Sequence, residues 1–234
     1  MDIRSSLKKK SMIALGLYLA IFIAIIGSIT YFVVEPPVRD KLQQNLDLRT
    51  QLLSSLIKEP LNSSHGLLNS IVGLAHTERD SEKLSKLLQS LFSTSSDIVV
   101  SGGVWPEPKK LEPNKDLASL FFNKAADGKI DQIEAYNNPQ ASPYHEESWY
   151  TSVMNLPIGE ISWSDVYIDP FTHVQMITVS TPYYLDNEFS GVTTVDLSLE
   201  GLLEFIKEHA EEYDLGITLR DTHGDVLVSH NFKL

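Results

Sequence analysis

Aromatic and acidic residues between positions 149 and 196 have the types and spacing that a pocket for a small polar molecule requires. Trp149 and Tyr150 offer flat apolar faces with polar edges, which suit stacking on a ligand or enclosing a cation. Tyr167 and Asp169 are two residues apart, so on a strand they face the same side. Asp196 closes a later strand-like segment and could approach that side. Two carboxylates among aromatic rings favour a ligand that carries an ammonium group.

Each of these residues also has an ordinary structural explanation. Trp149 and Tyr150 could pack in the core or in a lid, since aromatic residues bury large areas. Asp169 precedes Pro170, a common turn pair, and Asp196 could be a turn or cap residue before a helix. From the sequence, ligand contact and a structural role both stay open for each of them.

Other site chemistry finds no support in the sequence. The chain has no cysteine, which excludes disulfides, thiolate catalysis and cysteine-based metal sites. None of the seven histidines has another histidine four residues away, and the Ser-Gly-Gly at 101–103 does not have phosphate-loop spacing. A hydrolase would need a nucleophile and base pair, and none is evident. We therefore expect no enzyme activity, no catalytic residue, no metal and no cofactor in this chain.

An uncharged apolar run at residues 12–34 predicts a transmembrane helix. At about 1.5 Å per residue the run is about 35 Å long as a helix, which exceeds the roughly 30 Å hydrocarbon core of a bilayer. A cleaved signal peptide is the alternative, but its apolar core has only about 7 to 15 residues. Residues 1–11 contain four basic residues, and we expect them to form a cytoplasmic tail.

The charge pattern predicts where the rest of the chain lies. Basic residues near a span tend to stay on the cytoplasmic side, so residues 35–234 are expected in the periplasm, with a single pass through the bacterial inner membrane. The net charge of −12 repels nucleic acid, so no nucleic-acid partner is expected. The membrane itself is a predicted partner.

A long helix, the stalk helix, is predicted to follow the span. Pro36 and Pro37 suit its first turn, where a missing N–H costs least. Four apolar residues share one face at heptad-like spacing, interrupted by Arg49, namely Leu42, Leu46, Leu53 and Ile57. This face could pack on its own domain or join two stalk helices in a homodimer. Separate helical stretches are predicted at residues 64–74 and 81–92.

Beyond residue 97 the pattern becomes strand-like. Strands are predicted at residues 97–104, 160–167, 174–184 and 191–197. Turn residues at 169–170 and 186–187 separate the last three strands, which implies an antiparallel meander, and a helix follows from residue 199 to about 213. Residues 35–213 are therefore predicted to form one α+β domain with an antiparallel sheet.

The last part of the chain reads as a strand, a tight turn at Gly224 and a second strand. A lone hairpin is marginally stable in water. We therefore expect residues 214–234 to begin a second module, and the chain to be part of a longer protein.

Four segments carry a resemblance to a known family. The residues at 147–150, 163–170, 176–182 and 189–196 together resemble a double Cache (dCache) extracytoplasmic sensor domain. The resemblance implies an anchor helix, a stalk helix, a membrane-distal PAS-like module and then a smaller proximal module. Its members stand in front of diguanylate cyclase, histidine kinase or chemoreceptor output domains, and the segments here are most similar to those of the cyclases.

The resemblance also implies roles for particular residues. In the amino-acid-binding branch, aspartates like Asp169 and Asp196 hold the amino group of the ligand, and an arginine two residues before the tryptophan holds its carboxylate. Here Glu147 stands at the arginine position and Ser142 stands where a tyrosine is expected. An α-carboxylate would meet a negative charge, so we expect a small polar or cationic, amine-like metabolite at Glu147, Trp149, Tyr150, Tyr167, Asp169 and Asp196.

The sequence thus predicts extracytoplasmic small-molecule sensing for transmembrane signal transduction. The alternative is a membrane-anchored interaction or scaffold protein with no small-molecule ligand. A saturable ligand favours the first, and partner binding without a pocket favours the second.

Overall fold

The computed structural model of the chain describes residues 3–125, 127–213, 216–220, 224 and 226–230. The chain divides into two compact units, Met1–Leu52 and Leu53–Leu234. The first unit is helical. The second contains the sheet and all the predicted site residues.

The first unit contains helix α1 (Ile3–Ile29), a π-helical turn (Thr30–Val34) and the start of helix α2 (Glu35–Thr77). Within the described residues, one continuous helical stretch, Lys9–Thr77, has an apolar window long enough to cross a membrane. In the π turn the Glu35 N–H donates to the carbonyl of Thr30. The prolines Pro36 and Pro37 follow at once, and a proline ring clashes with the carbonyl four residues before it. The wider turn gives those carbonyls room.

The prediction that residues 64–74 form a separate helix is wrong. Pro60 lies inside α2, so residues 64–74 are the end of this helix rather than a separate one. A proline in a helix interior costs about 3 kcal/mol. Burial of Leu68, Ile71 and Ala75 on one face of the same helix offsets that cost, since tertiary packing supplies most helix stability.

Helix α3 (Ser81–Ser93) confirms the helix predicted at 81–92. Asp80 caps it by accepting a hydrogen bond from the Lys83 N–H at 3.0 Å. Its apolar face buries Leu84, Leu88 and Phe92 against the sheet, beside the buried face of α2.

The described residues form an antiparallel sheet of seven strands, β1 (Val99–Pro106), β2 (Leu120–Lys124), β3 (Ile130–Gln132), β4 (Ser162–Trp163), β5 (Tyr167–Ile168), β6 (Gln175–Leu185) and β7 (Glu188–Ser198). Their order in the sheet is β3-β2-β1-β7-β6-β4, with β5 also paired to β6. The predicted α+β class is confirmed. The strand predicted at 160–167 is instead two short edge strands, and β2 and β3 were missed.

Strands β6 and β7 form a hairpin whose register separates an apolar face from a polar one. Its two-residue turn, Asp186–Asn187, is left-handed, with φ of 55° and 66°. On the face towards α2 and α3, β6 and β7 bury Val179, Val195 and Leu197. The alternate positions carry hydroxyl and carboxyl groups, and they lie on the other face of the sheet.

The short helix α4 (Ser148–Thr151) lies between β3 and β4 in the chain. Helix α5 (Leu199–Glu212) follows β7, as predicted, and Ser198 caps it by accepting from the Gly201 N–H at 3.1 Å. A separate hairpin, β8 (Ile217–Arg220) with β9 (Val226–His230), forms the end of the described chain. Gly224 between them has φ of 92°. Residues 221–223 and 225 of the predicted turn lie outside the described residues. That residues 214–234 begin a second module stays a prediction.

The approach of β1 to β2 gives a test of the sheet register. A Cβ at Gly103 would lie 2.0 Å from the backbone oxygen of Leu120. Gly103→Ala should therefore destabilise the sheet unit by several kcal/mol, on the order of the largest single-substitution effects. Urea unfolding monitored by tryptophan fluorescence measures this, because all three tryptophans follow residue 104.

The matched control is Gly66→Ala in α2, where a Cβ meets nothing within 4 Å. It should leave stability unchanged or raise it by up to about 1 kcal/mol, the helix propensity difference. Equal stability of the two variants would contradict the β1–β2 register.

Candidate ligand site on the polar face of the sheet

The buried carboxylate of Asp196 is the centre of the candidate site. Asp196 lies on β7, opposite Ser101 of β1 and Thr178 of β6, and is only 3% exposed. Ser101 Oγ donates to Asp196 Oδ2 at 2.6 Å, and Thr178 Oγ1 donates to Oδ1 at 2.7 Å. Within the described residues no ion pair involves Asp196.

Burial raises the pKa of Asp196 from 3.8 to about 6. The hydrogen bonds from Ser101 and Thr178 lower the pKa, and the negative charge of Asp169 raises it further, but desolvation is the largest effect. The carboxylate therefore lies in the sheet with two hydroxyl donors, and the described residues provide no compensating cation.

Tyr167 joins the same hydrogen-bonded group. Its hydroxyl is 2.8 Å from Thr178 Oγ1, which in turn donates to Asp196. Burial raises the pKa of the Tyr167 phenol, so the hydroxyl stays protonated. Two of the predicted site residues, Tyr167 and Asp196, are thus linked through Thr178, which was not among the predicted site residues.

Asp169 organises its own turn. Its Oδ1 accepts from the Phe171 N–H, the Thr172 N–H and Thr172 Oγ1 at 2.7 to 3.0 Å. Its Oδ2 accepts from the hydroxyl of Tyr136. Asp169 is 2% exposed, so burial and these four donors fix it beside the Asp196 group. Asp169 therefore has the turn role that the sequence left open, and its second oxygen, Oδ2, bonds Tyr136.

Glu147 lies at the start of the short helix α4 (Ser148–Thr151) and is partly buried. Desolvation raises the pKa of its carboxyl, and the charges of Asp169 and Glu146 raise it further. The same charge acts on Tyr167. Glu147 therefore adds a third carboxylate to the region of Asp169 and Asp196, and no ion pair of the described residues involves any of the three.

Trp149 covers this face of the sheet, while Tyr150 has other contacts. Trp149 is buried, with its ring centroid 4.6 Å from that of Trp105. The Tyr150 hydroxyl donates to Glu107 Oε1 at 2.6 Å, and its ring packs on Tyr144. The structure thus brings Trp149 to the same buried cluster as Tyr136. The hydroxyl of Tyr150 bonds Glu107 instead of the site carboxylates Glu147, Asp169 and Asp196.

On this face, two buried polar atoms of the described residues have no hydrogen-bond partner there. Ser180 Oγ and Asn123 Oδ1 are buried without a hydrogen bond among the described residues. Ser180 is two residues from Thr178 on β6, and Asn123 pairs with Ser101 across β1 and β2. Both positions therefore lie on the polar face. Unpaired buried polar atoms are costly, and a ligand with hydrogen-bond donors could satisfy them.

Sequence reasoning missed several members of this site, namely Ser101, Asn123, Tyr136, Thr178 and Ser180. One signal could have indicated some of them. Thr178 and Ser180, like Thr194 and Asp196, alternate with apolar residues in strands that were predicted. The pairing of Ser101 with Asp196 spans 95 residues of sequence, and no local pattern contains it.

Comparison with known proteins identifies related sensors. Residues 84–204, just over half of the chain, match the family described as methyl-accepting chemotaxis protein-like, first PDC sensor domain. The methyl-accepting chemotaxis protein PscA of Pseudomonas syringae pv. tomato is 25% identical over 187 residues, which are 79% of this chain. The chain spans 28% of the length of that relative.

Solved structures share the fold. The extracellular domain of soHK1S-Z6, described as a histidine kinase, is 20% identical with a TM-score of 0.61, covering 82% of this chain and 71% of that one. The ligand-binding domain of the Campylobacter jejuni chemoreceptor Tlp3, in complex with L-norvaline, is 14% identical with a TM-score of 0.58, covering 82% and 70%. The predicted resemblance to Cache-type sensors is confirmed.

The buried charge of Asp196 predicts that the difference in stability between the wild type and Asp196→Asn depends on pH. The folded-state pKa of about 6 exceeds the ordinary 3.8. The contribution of this carboxyl to stability is therefore full below pH 4 and is lost as pH rises through 6. At pH 8, Asp196→Asn should be more stable than the wild type by up to about 3 kcal/mol, since it removes the buried charge.

Urea unfolding without added ligand, at pH 5 and at pH 8, checks this. The advantage of Asp196→Asn should shrink at pH 5, where the wild-type carboxyl is mostly protonated. An advantage of equal size at both pH values would contradict the raised pKa.

Proposed function

The chain belongs to the family of methyl-accepting chemotaxis protein-like PDC sensor domains, and from this membership we propose that it senses a small molecule for a bacterial transmembrane receptor. The solved structures with this fold include an extracellular domain and a ligand-binding domain, which supports this proposal. The chain spans only 28% of the length of its curated relative, so the activity of the whole receptor is also a proposal. Its output domain would be of the diguanylate cyclase type expected from the sequence, or of the histidine kinase or chemoreceptor type.

The proposed location follows from the first unit. We propose that residues 12–34 cross the bacterial inner membrane once, with residues 1–11 in the cytoplasm and residues 35–234 in the periplasm. The apolar window in Lys9–Thr77 and the basic residues before it support this orientation. Exposed apolar residues on α2, such as Leu42 and Leu46, support a homodimer through the stalk helix.

One observation carries the proposed ligand class. Glu147, Asp169 and Asp196 form a group of three carboxylates, and no ion pair of the described residues involves them. A group of like charges, of which Asp169 and Asp196 are buried and Glu147 is partly buried, is unfavourable without a cation. A small amine would offset the repulsion and supply N–H donors to this face. Ser180 Oγ and Asn123 Oδ1 are available as further acceptors.

The third carboxylate also argues against an ordinary amino acid. The chemoreceptor Tlp3 has been crystallised with L-norvaline, which carries a carboxylate as well as an ammonium group. In this chain Glu147 stands where the amino-acid-binding branch is expected to have an arginine. A ligand carboxylate near Glu147 would add a fourth negative charge, whereas an amine without a carboxylate avoids that repulsion.

Two observations favour a ligand-free role. The carboxylate of Asp169 accepts four hydrogen bonds from the chain itself, and Trp149 packs closely on Trp105. A membrane-anchored scaffold protein would have a closed face of this kind. The unpartnered atoms of Ser180 and Asn123 weigh against that role, because a closed structural face would be expected to pair them.

The proposed signal passes along β7. Asp196 is two residues before Ser198, which caps α5, and the other face of β6 and β7 packs on α2. A cation that binds only when the carboxylates and Trp149 close around it would favour one arrangement of these strands. Such a population shift would act on α2 and α5, in proportion to the difference in ligand affinity between the two arrangements.

Glu147→Arg tests the ligand class with a matched pair of ligands. Butylamine is L-norvaline without its carboxylate, so the two differ only at the group that Glu147 is proposed to repel. The wild type should bind butylamine at least tenfold more tightly than L-norvaline. Glu147→Arg should reverse this preference, because the guanidinium repels the amine and pairs with the carboxylate. Isothermal titration calorimetry measures both affinities.

The control variant is Glu146→Arg, which makes the same charge change at the neighbouring exposed residue. Its preference should stay with butylamine. If the wild type prefers L-norvaline, or if both variants behave alike, Glu147 does not determine the ligand class.

A further inference from the structure

A groove lies on the opposite side of the sheet unit from the carboxylate group, between α2 and the edge of β6. Its volume is about 390 Å³, within the range of roughly 300 to 1,000 Å³ typical of small-molecule pockets. Asn69, Val72, Gly73 and His76 line it from α2, and Pro182 and Tyr183 line it from β6. None of the residues of the carboxylate group lines this groove.

A short loop closes the third side of the groove. Ile158 and Gly159 line it from this loop. Two hydrogen bonds fix the loop to β6, from Thr181 Oγ1 to the carbonyl of Glu160 at 2.6 Å and from the Tyr184 hydroxyl to the carbonyl of Leu156 at 2.8 Å. The groove is therefore held open by bonded elements on all three sides.

Gly73 leaves the middle of the groove empty. A Cβ at this position would meet nothing within 4 Å, so no contact inside the described chain requires a glycine. Glycine in a helix interior is less favourable than alanine. The bare backbone at Gly73 thus gives a ligand close access to α2.

His76 gives one end of the groove a defined hydrogen-bonding character. Its Nδ1 is 3.2 Å from the backbone carbonyl of Tyr184. A carbonyl only accepts hydrogen bonds, so Nδ1 carries the hydrogen, and Nε2 of the neutral imidazole is an acceptor. No hydrogen bond among the described residues uses Nε2. The end of the groove at His76 therefore suits a ligand with an O–H or N–H donor.

We infer that this groove is a second binding site, for a small neutral aromatic molecule that carries one hydrogen-bond donor, such as a phenol. The apolar walls at Val72, Ile158 and Pro182 receive the ring, and the aromatic residues Tyr183 and Tyr184 line the same groove. The donor bonds to His76 Nε2. A molecule bound here contacts α2 and β6 together, so it acts on the same helix as the proposed amine from the other side of the sheet.

The test uses the full chain in nanodiscs and two probes, 4-methylphenol and 4-methylanisole, which differ only in the donor hydrogen that a methyl group replaces. Ligand-observed NMR against empty nanodiscs measures binding. The wild type should bind 4-methylphenol saturably and 4-methylanisole several-fold more weakly. His76→Phe should remove the difference in affinity between 4-methylphenol and 4-methylanisole.

Gly73→Leu is the decisive variant. The added side chain fills the groove, so 4-methylphenol should bind at least tenfold more weakly, while the melting temperature should not fall, because leucine is the better helix former. Gly66→Leu is the matched control one heptad earlier on α2, where a Cβ also meets open space outside the groove. Gly66→Leu should bind 4-methylphenol as tightly as the wild type does.

Asp196→Asn distinguishes this site from the proposed amine site, and it should leave 4-methylphenol binding unchanged. The inference is overturned if the wild type shows no saturable binding, or if Gly73→Leu and Gly66→Leu bind alike. It is also overturned if the two probes bind equally, or if Asp196→Asn abolishes binding. Loss of amine binding alone would affect only the proposed function.

Discussion

The polar face of the sheet is organised around a buried carboxylate, Asp196, for which the described residues supply no cation. Asp196 is held by hydroxyl groups from two neighbouring strands, Ser101 of β1 and Thr178 of β6. Two neutral hydrogen bonds do not repay the desolvation of a charge, which is why the pKa of this group rises to about 6. The unpaired charge and the nearby Asp169 and Glu147 together make the polar face a place where a cation would be stabilising.

The opposite face of β6 and β7 is apolar and belongs to the hydrophobic core. Val179, Val195 and Leu197 alternate with the polar positions and pack on α2 and α3, so the hydrophobic core fixes the strands that carry the carboxylate. A one-residue slip of β7 would exchange the two faces and bury polar groups against the helices. The apolar core thus fixes the position of Asp196, and it also gives any change at Asp196 a direct path to α2.

Local sequence patterns were sufficient to predict the strands and the helix around the site. They were insufficient to predict which residues bond Asp196. The β6–β7 hairpin and α5 were predictable, because alternating residues, the turn at 186–187 and a capping serine all occur within a few residues of each other. Ser101 and Thr178 were not, since their pairing with Asp196 depends on register between distant strands. Pro60 misled the helix prediction because packing on the far side of α2 outweighs a local penalty. Tyr150 adjoins Trp149 in sequence, yet its hydroxyl bonds Glu107.

The pH dependence of amine binding tests the central claim that Asp196, as a charged carboxylate, holds a cation. Butylamine stays protonated between pH 5 and pH 8, so only groups on the protein titrate in a calorimetric titration over this range. We expect the affinity to be constant above about pH 7 and to fall by up to tenfold per pH unit below 6, as protons compete for Asp196. An affinity that is the same at pH 5 and pH 8, or no binding at any pH, would contradict the claim.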